Sequence, residues 1–335
     1  MLRILHRAAD KSVSELREID RIADFIATPD TVTWIDLWDD GAPHNDELRR
    51  ALERLLRDVF HFHPLAVEDV LAEASPPRVD DWGEYLYAVL HAVRWDQQLQ
   101  DVDTAELDVF LGRNYLLTYR SEEIPSIDRI WKSVMRDERH TRRGADYVFY
   151  EVADALASDY TPCMDAMDGA LDRVEAEIFN QPGPRTLTRI FKLKSAVLNL
   201  RRVLSPQREV MTRLARDEFV MIDVRERVYF RDVYDHFVRL VDVNESLRDL
   251  VSGALETYLS VTANRTNDVM KTMTIFTVLF SPLAAITGFF GMNFFAESLV
   301  VHSPFEAQML FWLVLAVLVL VPSLLILYIR RRGWW

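Results

Sequence analysis

Residues 272–296 contain no Asp, Glu, Lys or Arg, and neither do residues 307–329. Each run is roughly two dozen residues. At about 1.5 Å per helical residue either one reaches across a hydrocarbon core of about 30 Å, where charged side chains are costly. One such run is compatible with the core helix of a water-soluble domain, but two in close succession at the C-terminal end predict a transmembrane hairpin. The flanking charges orient it. Arg265 and Lys271 precede the first span, Arg330, Arg331 and Arg332 follow the second, and residues 293–306 between them hold neither Lys nor Arg. By the positive-inside rule both termini are expected on the cytoplasmic side, with Trp334 and Trp335 suited to the membrane interface. The N-terminal stretch MLRILHRAADKSVSELREID lacks the apolar core of a signal peptide, so the part before the spans is expected to stay in the cytosol.

The rest of the chain is strongly acidic. Fifty-two Asp and Glu stand against 39 Lys and Arg, a net charge of −13 in 335 residues, which argues against a nucleic-acid binder and suits cations as partners. The single cysteine, Cys163, excludes an internal disulfide and a Cys-rich zinc module; it is expected to be a small core residue. No glycine-rich phosphate loop, nucleophile elbow or kinase motif is present, so the chain carries no enzyme signature. His61 and His63 lie two apart without the remaining ligands of a zinc site and read as structural.

Up to about residue 145, strand-like and helix-like patterns mix. TVTWIDLW (31–38), YLYAVLHAVRW (85–95), AELDVFLGR (105–113) and NYLLTYR (114–120) are rich in β-branched and aromatic residues and predict strands. NDELRRALERLLRDVF (45–60) and PLAVEDVLAEA (64–74) have helical spacing. After residue 146 apolar positions recur every three or four residues, broken by QPGPRT (181–186), which predicts a helical hairpin reaching Pro206. Beyond it, Val233, Phe237, Leu240, Asn244, Leu247, Val251, Ala254, Tyr258 and Val261 alternate steps of four and three, a heptad seam. Between Pro206 and Pro282 the only helix-breaking residue is Gly253, so the seam predicts one helix from about Tyr229 to Gly291, on the order of 90 Å long. Either packing within one subunit or an oligomer built around the seam satisfies it. The expected layout of this α+β membrane protein is an α/β domain over 1–145, a helical stalk over 146–268, a first transmembrane helix over 269–292, a loop over 293–306, a second transmembrane helix over 307–329 and a basic tail over 330–335.

The first span ends in ITGFFGMNF (286–294), with Gly291, Met292 and Asn293 in sequence. HPLAVEDVL (63–71), YFRDVYDH (229–236) and NRTNDVMK (264–271) stand upstream in the same order as a family's cytoplasmic, stalk and pore-entry motifs. With these the chain resembles the CorA family of divalent-cation channels and transporters, whose signature is Gly-Met-Asn at the end of the first of two C-terminal membrane helices. The resemblance implies a homopentamer with a funnel-shaped cytoplasmic part, a pore lined by the first span, and a selectivity ring formed by five copies of Gly291, Met292 and Asn293. It implies an inner-membrane protein carrying Mg2+, with Co2+ and Ni2+ as lesser substrates. Because the first span offers no carboxylate to replace the ion's water, Mg2+ is expected to pass hydrated, with the Asn293 carboxamide accepting from that water.

Within the resemblance, Asn267 is expected to form a second polar ring. Met270, Met273 and Leu283 are expected to form an apolar gate, and Glu256 is a weaker candidate for an acidic ring. Asp69 and Asp232, with Glu68 as accessory, are implied to share a regulatory divalent ion between neighbouring subunits, holding the closed state while cytoplasmic Mg2+ is plentiful. Two departures from the family's magnesium members bear on ion choice. The loop reads FFAESLVVHSPFE with Glu297 as its one mid-loop acid, and Ala284 stands where a threonine is often found. The ZntB branch shares the signature, and His302 is a residue type that attracts Zn2+, so a proton-linked Zn2+ transporter is the alternative. A membrane-anchored coiled-coil scaffold or sensor is the alternative of a different class.

Overall fold

The computed structural model describes residues 2–8, 13–16, 22–28, 30–38, 50, 52–72, 75–137, 139–292 and 304–331. The chain divides into two compact units, Met1–Tyr258 and Leu259–Trp335.

The first unit is built on a seven-stranded sheet. Its strands are β1 (Leu2–Arg7), β2 (Val13–Leu16), β3 (Val32–Trp38), β4 (Arg78–Asp81), β5 (Leu86–Asp96), β6 (Asp101–Leu111) and β7 (Tyr115–Arg120), in the order β2-β1-β3-β7-β6-β5-β4. β3 pairs with β7 in parallel, and the other neighbours pair antiparallel. The run YAVLHAV of β5 lacks polar alternation because both faces of the sheet are covered. On one face Tyr87 and Val89 pack with Phe110, Leu117, Ile35 and Ile4 against α2 (Pro64–Val70) and a π-helical turn (Leu55–Val59). The other face lies against long helices. His63 caps α2, its ring nitrogen accepting from the Leu65 N–H at 3.2 Å while the ring stacks on Trp82, so this histidine is structural as its spacing predicts. The remaining short helices of the unit are α1 (Ile22–Ala27), α3 (Pro125–Arg136) and α4 (Arg139–Arg142).

Two long helices, α5 (Ala145–Asn180) and α6 (Pro184–Arg216), form the expected hairpin, and α7 (Arg227–Gly291) follows. Pro206 does not end the hairpin; it lies inside α6. The chain instead breaks after Arg216, at a place with no Gly or Pro. There Phe219, Met221 and Ile222 bury their side chains, and Arg213 lies over the Phe219 ring. The seam residues Val233, Phe237, Leu240, Asn244, Leu247, Val251, Ala254 and Tyr258 are all buried within the single chain. Phe149 meets Phe230 and Tyr160 meets Phe237, each pair at 5.4 Å between ring centres, and the Tyr258 hydroxyl donates to the Gly183 carbonyl. That is packing within one subunit over most of the seam; Val261, its last residue, is only half-buried. Cys163 is buried, as expected, and burial pushes its thiol up to about 12.

Where the parallel pair β3–β7 ends, two arginines and two aspartates neutralise one another. Arg3 and Arg120 both reach Asp36 and Asp128, at 2.7–3.2 Å, and the Thr118 hydroxyl donates to Asp36 at 2.7 Å. Asp36 is 0% and Arg120 1% exposed, and both guanidiniums lie near the Trp38 ring. Asp128 belongs to α3, so the quartet fastens that helix to the sheet. Removing one member leaves a buried charge without its partner, which destabilises by about 3–5 kcal/mol. Asp36→Ala is therefore expected to lose about that much in urea denaturation of the full chain followed by tryptophan fluorescence, whereas a loss below about 1 kcal/mol would show that Asp128 alone satisfies both guanidiniums.

Candidate functional site

The second unit contains the membrane part of α7 and α8 (Pro304–Arg331), the two helices long and apolar enough to cross a bilayer. A cavity of about 470 Å3 between them is lined by Asp268, Lys271, Thr272, Ile275, Phe276 and Leu279 of α7 and by Ile326 and Ile329 of α8. These residues define the side of α7 that faces α8. At about 100° per residue, the opposite side carries Met270, Met273, Thr277, Ser281, Ala284, Gly288 and Gly291, with Asn267, Thr274 and Glu256 at its edge. Helical spacing thus brings Asn267, Met270 and Met273 onto one face with Gly291, and places Leu283 on the α8 side. All but Leu283, which is half-buried, are exposed in the single chain.

From Met270 to Gly291 that face has no charge, and its threonines have committed their protons. Thr274 donates to the Met270 carbonyl at 2.8 Å and Thr277 to the Met273 carbonyl at 2.9 Å, which leaves only oxygen lone pairs to face outward. Such a surface accepts hydrogen bonds from the water around a cation without binding the metal directly. Among the described residues, a Cβ added at Gly288 or Gly291 would meet nothing within 4 Å. Met292 follows the helix and is half exposed. Asn293 lies outside the described residues, as do Glu297, His302, Arg332, Trp334 and Trp335.

The implied regulatory carboxylates lie in the first unit. Glu68 on α2 is exposed, and Asp69 is held by Arg78 of β4 in an ion pair of 2.6 Å. Asp232, exposed near the start of α7, shares a face with His236 one turn on. The ring contacts at Phe149–Phe230 and Tyr160–Phe237 bracket Asp154 of α5 against the same turn. Burial raises the Asp154 carboxyl above the ordinary carboxylate range, with His236 acting to lower it and the charge of Asp232 to raise it. Asp154 and His236 are additions that the sequence pattern did not single out; the i, i+4 spacing of Asp232 and His236 was the available signal. No hydrogen bond or ion pair joins Asp69 to Asp232 among the described residues. Nor, among those residues, do three His, Cys, Asp or Glu side chains converge to hold a metal within one chain.

Two lipid-length helices following a sheet-and-helix unit define a class of membrane protein, here with a long helix that presents an uncharged face of Met, Ala and Gly interrupted by the hydroxyls of Thr277 and Ser281. Comparison with known proteins gives that class its family. Residues 30–331 match the family described as CorA-like Mg2+ transporter protein. The cobalt/magnesium transport protein CorA of Thermotoga maritima is 32% identical over 306 residues, 91% of this chain and 84% of that protein. The zinc transport protein ZntB of Yersinia pseudotuberculosis is 21% identical over 234 residues, 69% of this chain and 70% of that one. In fold, the complete structure of the CorA magnesium transporter from Methanocaldococcus jannaschii superposes with a TM-score of 0.80 at 21% identity, covering 99% of this chain and 98% of that one. The chain belongs to the CorA family of divalent-cation transporters.

The pairing of Asp154 with Asp232 carries a pH consequence. Without a cation, a carboxyl raised by folding contributes stability that is lost as pH rises through its folded pKa. A bound divalent cation stabilises the charged form instead, so the gain from Mg2+ is expected to grow as pH rises through that same range. Thermal unfolding of the full chain with and without Mg2+, from about pH 5 to pH 8, should show this growth, and Asp154→Asn should flatten it. An equal gain at every pH in the unsubstituted protein would separate Asp154 from cation binding.

Proposed function

We propose that this chain assembles as a homopentamer around the uncharged face of α7 and passes hydrated Mg2+ across the inner membrane, with Co2+ and Ni2+ as lesser substrates. The observation that carries this reading is that face itself. It offers hydroxyl lone pairs at Thr274, Thr277 and Ser281, small residues toward Gly291, and no carboxylate to strip or retain a strongly hydrated ion. Two helices from one copy cannot enclose water, so a pore needs several copies, and glycines without packing partners in one chain suit close approach between copies. On this reading Gly291, Met292 and Asn293 form the selectivity ring. Asn267 forms a polar ring at the other end, Met270 and Met273 close the path by dewetting, and Glu256 adds a weaker acidic ring. The unit containing the sheet, and both termini, lie in the cytoplasm. The domain layout expected from sequence, 1–145, 146–268, 269–292, 293–306, 307–329 and 330–335, is retained.

Gating follows from the exposed acids. Asp69 and Asp232 from neighbouring copies, with Glu68, Asp154 and His236 nearby, supply hard oxygen ligands of the kind Mg2+ takes. A shared ion holds the copies together; its loss leaves carboxylates that repel one another and removes the differential stabilisation of the closed state.

The test is uptake into proteoliposomes. Potential-driven Mg2+ flux that falls about tenfold or more in Asn293→Ala is expected, together with flux that no longer responds to internal Mg2+ in Asp69→Asn/Asp232→Asn. Zn2+ flux that requires a pH gradient would assign the protein to a zinc-transporting role, and absence of either flux would overturn transport in favour of a scaffold.

A further inference from the structure

Asp69 already has a cation. The Arg78 guanidinium reaches it at 2.6 Å and, through Nε, also reaches Asp80 at 3.2 Å, while lying 5.6 Å from the centre of the Tyr87 ring. The side chains of Arg78 and Asp69 are 29% and 40% exposed, so the pair is within reach of an incoming ion. A divalent ion that binds Asp69 must displace the guanidinium or share the carboxylate with it. Displacement leaves the Arg78 Nε on Asp80 and the guanidinium beside the Tyr87 ring, while the buried Nη2 gives up its carboxylate. Asp80 sits two residues along the same edge strand, on the same side as Arg78 by strand alternation, and needs no backbone movement to take over.

We propose that Arg78 is a built-in competitor for the regulatory cation: its ion pair with Asp69 sets how much Mg2+ is needed before the carboxylate becomes a metal ligand. The inference rests on Asp69 acting as a cation ligand, as proposed above. It assigns to Arg78 a positioning and affinity-setting role that neither the motif HPLAVEDVL nor any acidic residue carries. Arg78 lies outside that motif, on a strand that Asp80 and Asp81 disguise in the sequence.

The experiment is a Mg2+ titration of the full chain in detergent at constant ionic strength, reading the concentration that gives half of the maximal rise in unfolding temperature. Four single variants, Arg78→Gln, Arg78→Lys, Asp80→Asn and Asp69→Asn, are compared with the double variant Arg78→Gln/Asp80→Asn. Arg78→Gln should lower the midpoint about two- to fivefold, the worth of a half-exposed ion pair. Arg78→Lys, which keeps the charge, should stay near the unsubstituted protein. Asp80→Asn should raise the midpoint by confining Arg78 to Asp69, and combining it with Arg78→Gln should return the value of Arg78→Gln alone. A general weakening of the fold would move the single variants together, not in opposite directions. If Arg78→Gln leaves the midpoint unchanged or raises it while Asp69→Asn weakens the response, the competitor role is overturned and Asp69 remains a ligand. If Asp69→Asn leaves the response as it was, both readings fall.

Discussion

From Asp232 to Gly291 one helix passes from a segment studded with charge to one without any, and it must bury a different face in each portion because the surroundings change. In its first portion the heptad side, Val233 through Tyr258, is closed off by α5 and α6 of the same chain. In its second portion α8 covers only the side bearing Thr272, Ile275, Phe276 and Leu279. The opposite side, from Met270 to Gly291, is exposed in the single chain, and it is the side that the proposed assembly uses. The path proposed above rests on that division of the helix surface.

Charge is handled in two contrasting ways within the first unit. Asp36, Arg120, Arg3 and Asp128 are withdrawn from water and satisfied by each other, so they serve the fold and are closed to ions. Asp108, also buried, has its carboxyl held well above the ordinary carboxylate range by desolvation, an effect that the hydrogen bond it accepts from the Tyr87 hydroxyl opposes. Glu68, Asp69 and Asp232 remain at the surface, where a hydrated cation can reach them. Burial separates structural acids from available ones in a chain whose composition makes them look alike.

The spans were legible because a charge-free run of lipid length suits little besides a bilayer, and β5 to β7 were legible because their apolar runs are long. β1, β2 and β4 were not. LRILHR carries three basic side chains and RVDD two acids, and each becomes a strand by pairing, β1 with β3 and β4 with β5. The break between α6 and α7 was hidden for a related reason: its stop is made by burying Phe219, Met221 and Ile222 and not by a Gly or Pro, while Pro162 and Pro206 are absorbed within helices. The GMN string and the pair Asp69 and Asp232 were visible through their motifs. His236 had a signal in its i, i+4 spacing from Asp232, whereas Asp154 became visible only once α5 and α7 were laid side by side.

Thr274 and Thr277 donate their hydroxyl protons to their own helix, and the face they share from Met270 to Gly291 carries no Lys or Arg. A solvated anion turns water hydrogens inward and leaves oxygens outward, so it needs donors from a wall; a solvated cation turns hydrogens outward and needs acceptors. If that face lines the proposed path, Thr274 and Thr277 present hydroxyl lone pairs there and withhold their protons, so they distinguish the sign of an ion by the orientation of its water. They do so without placing a fixed charge in the membrane, where one would be costly.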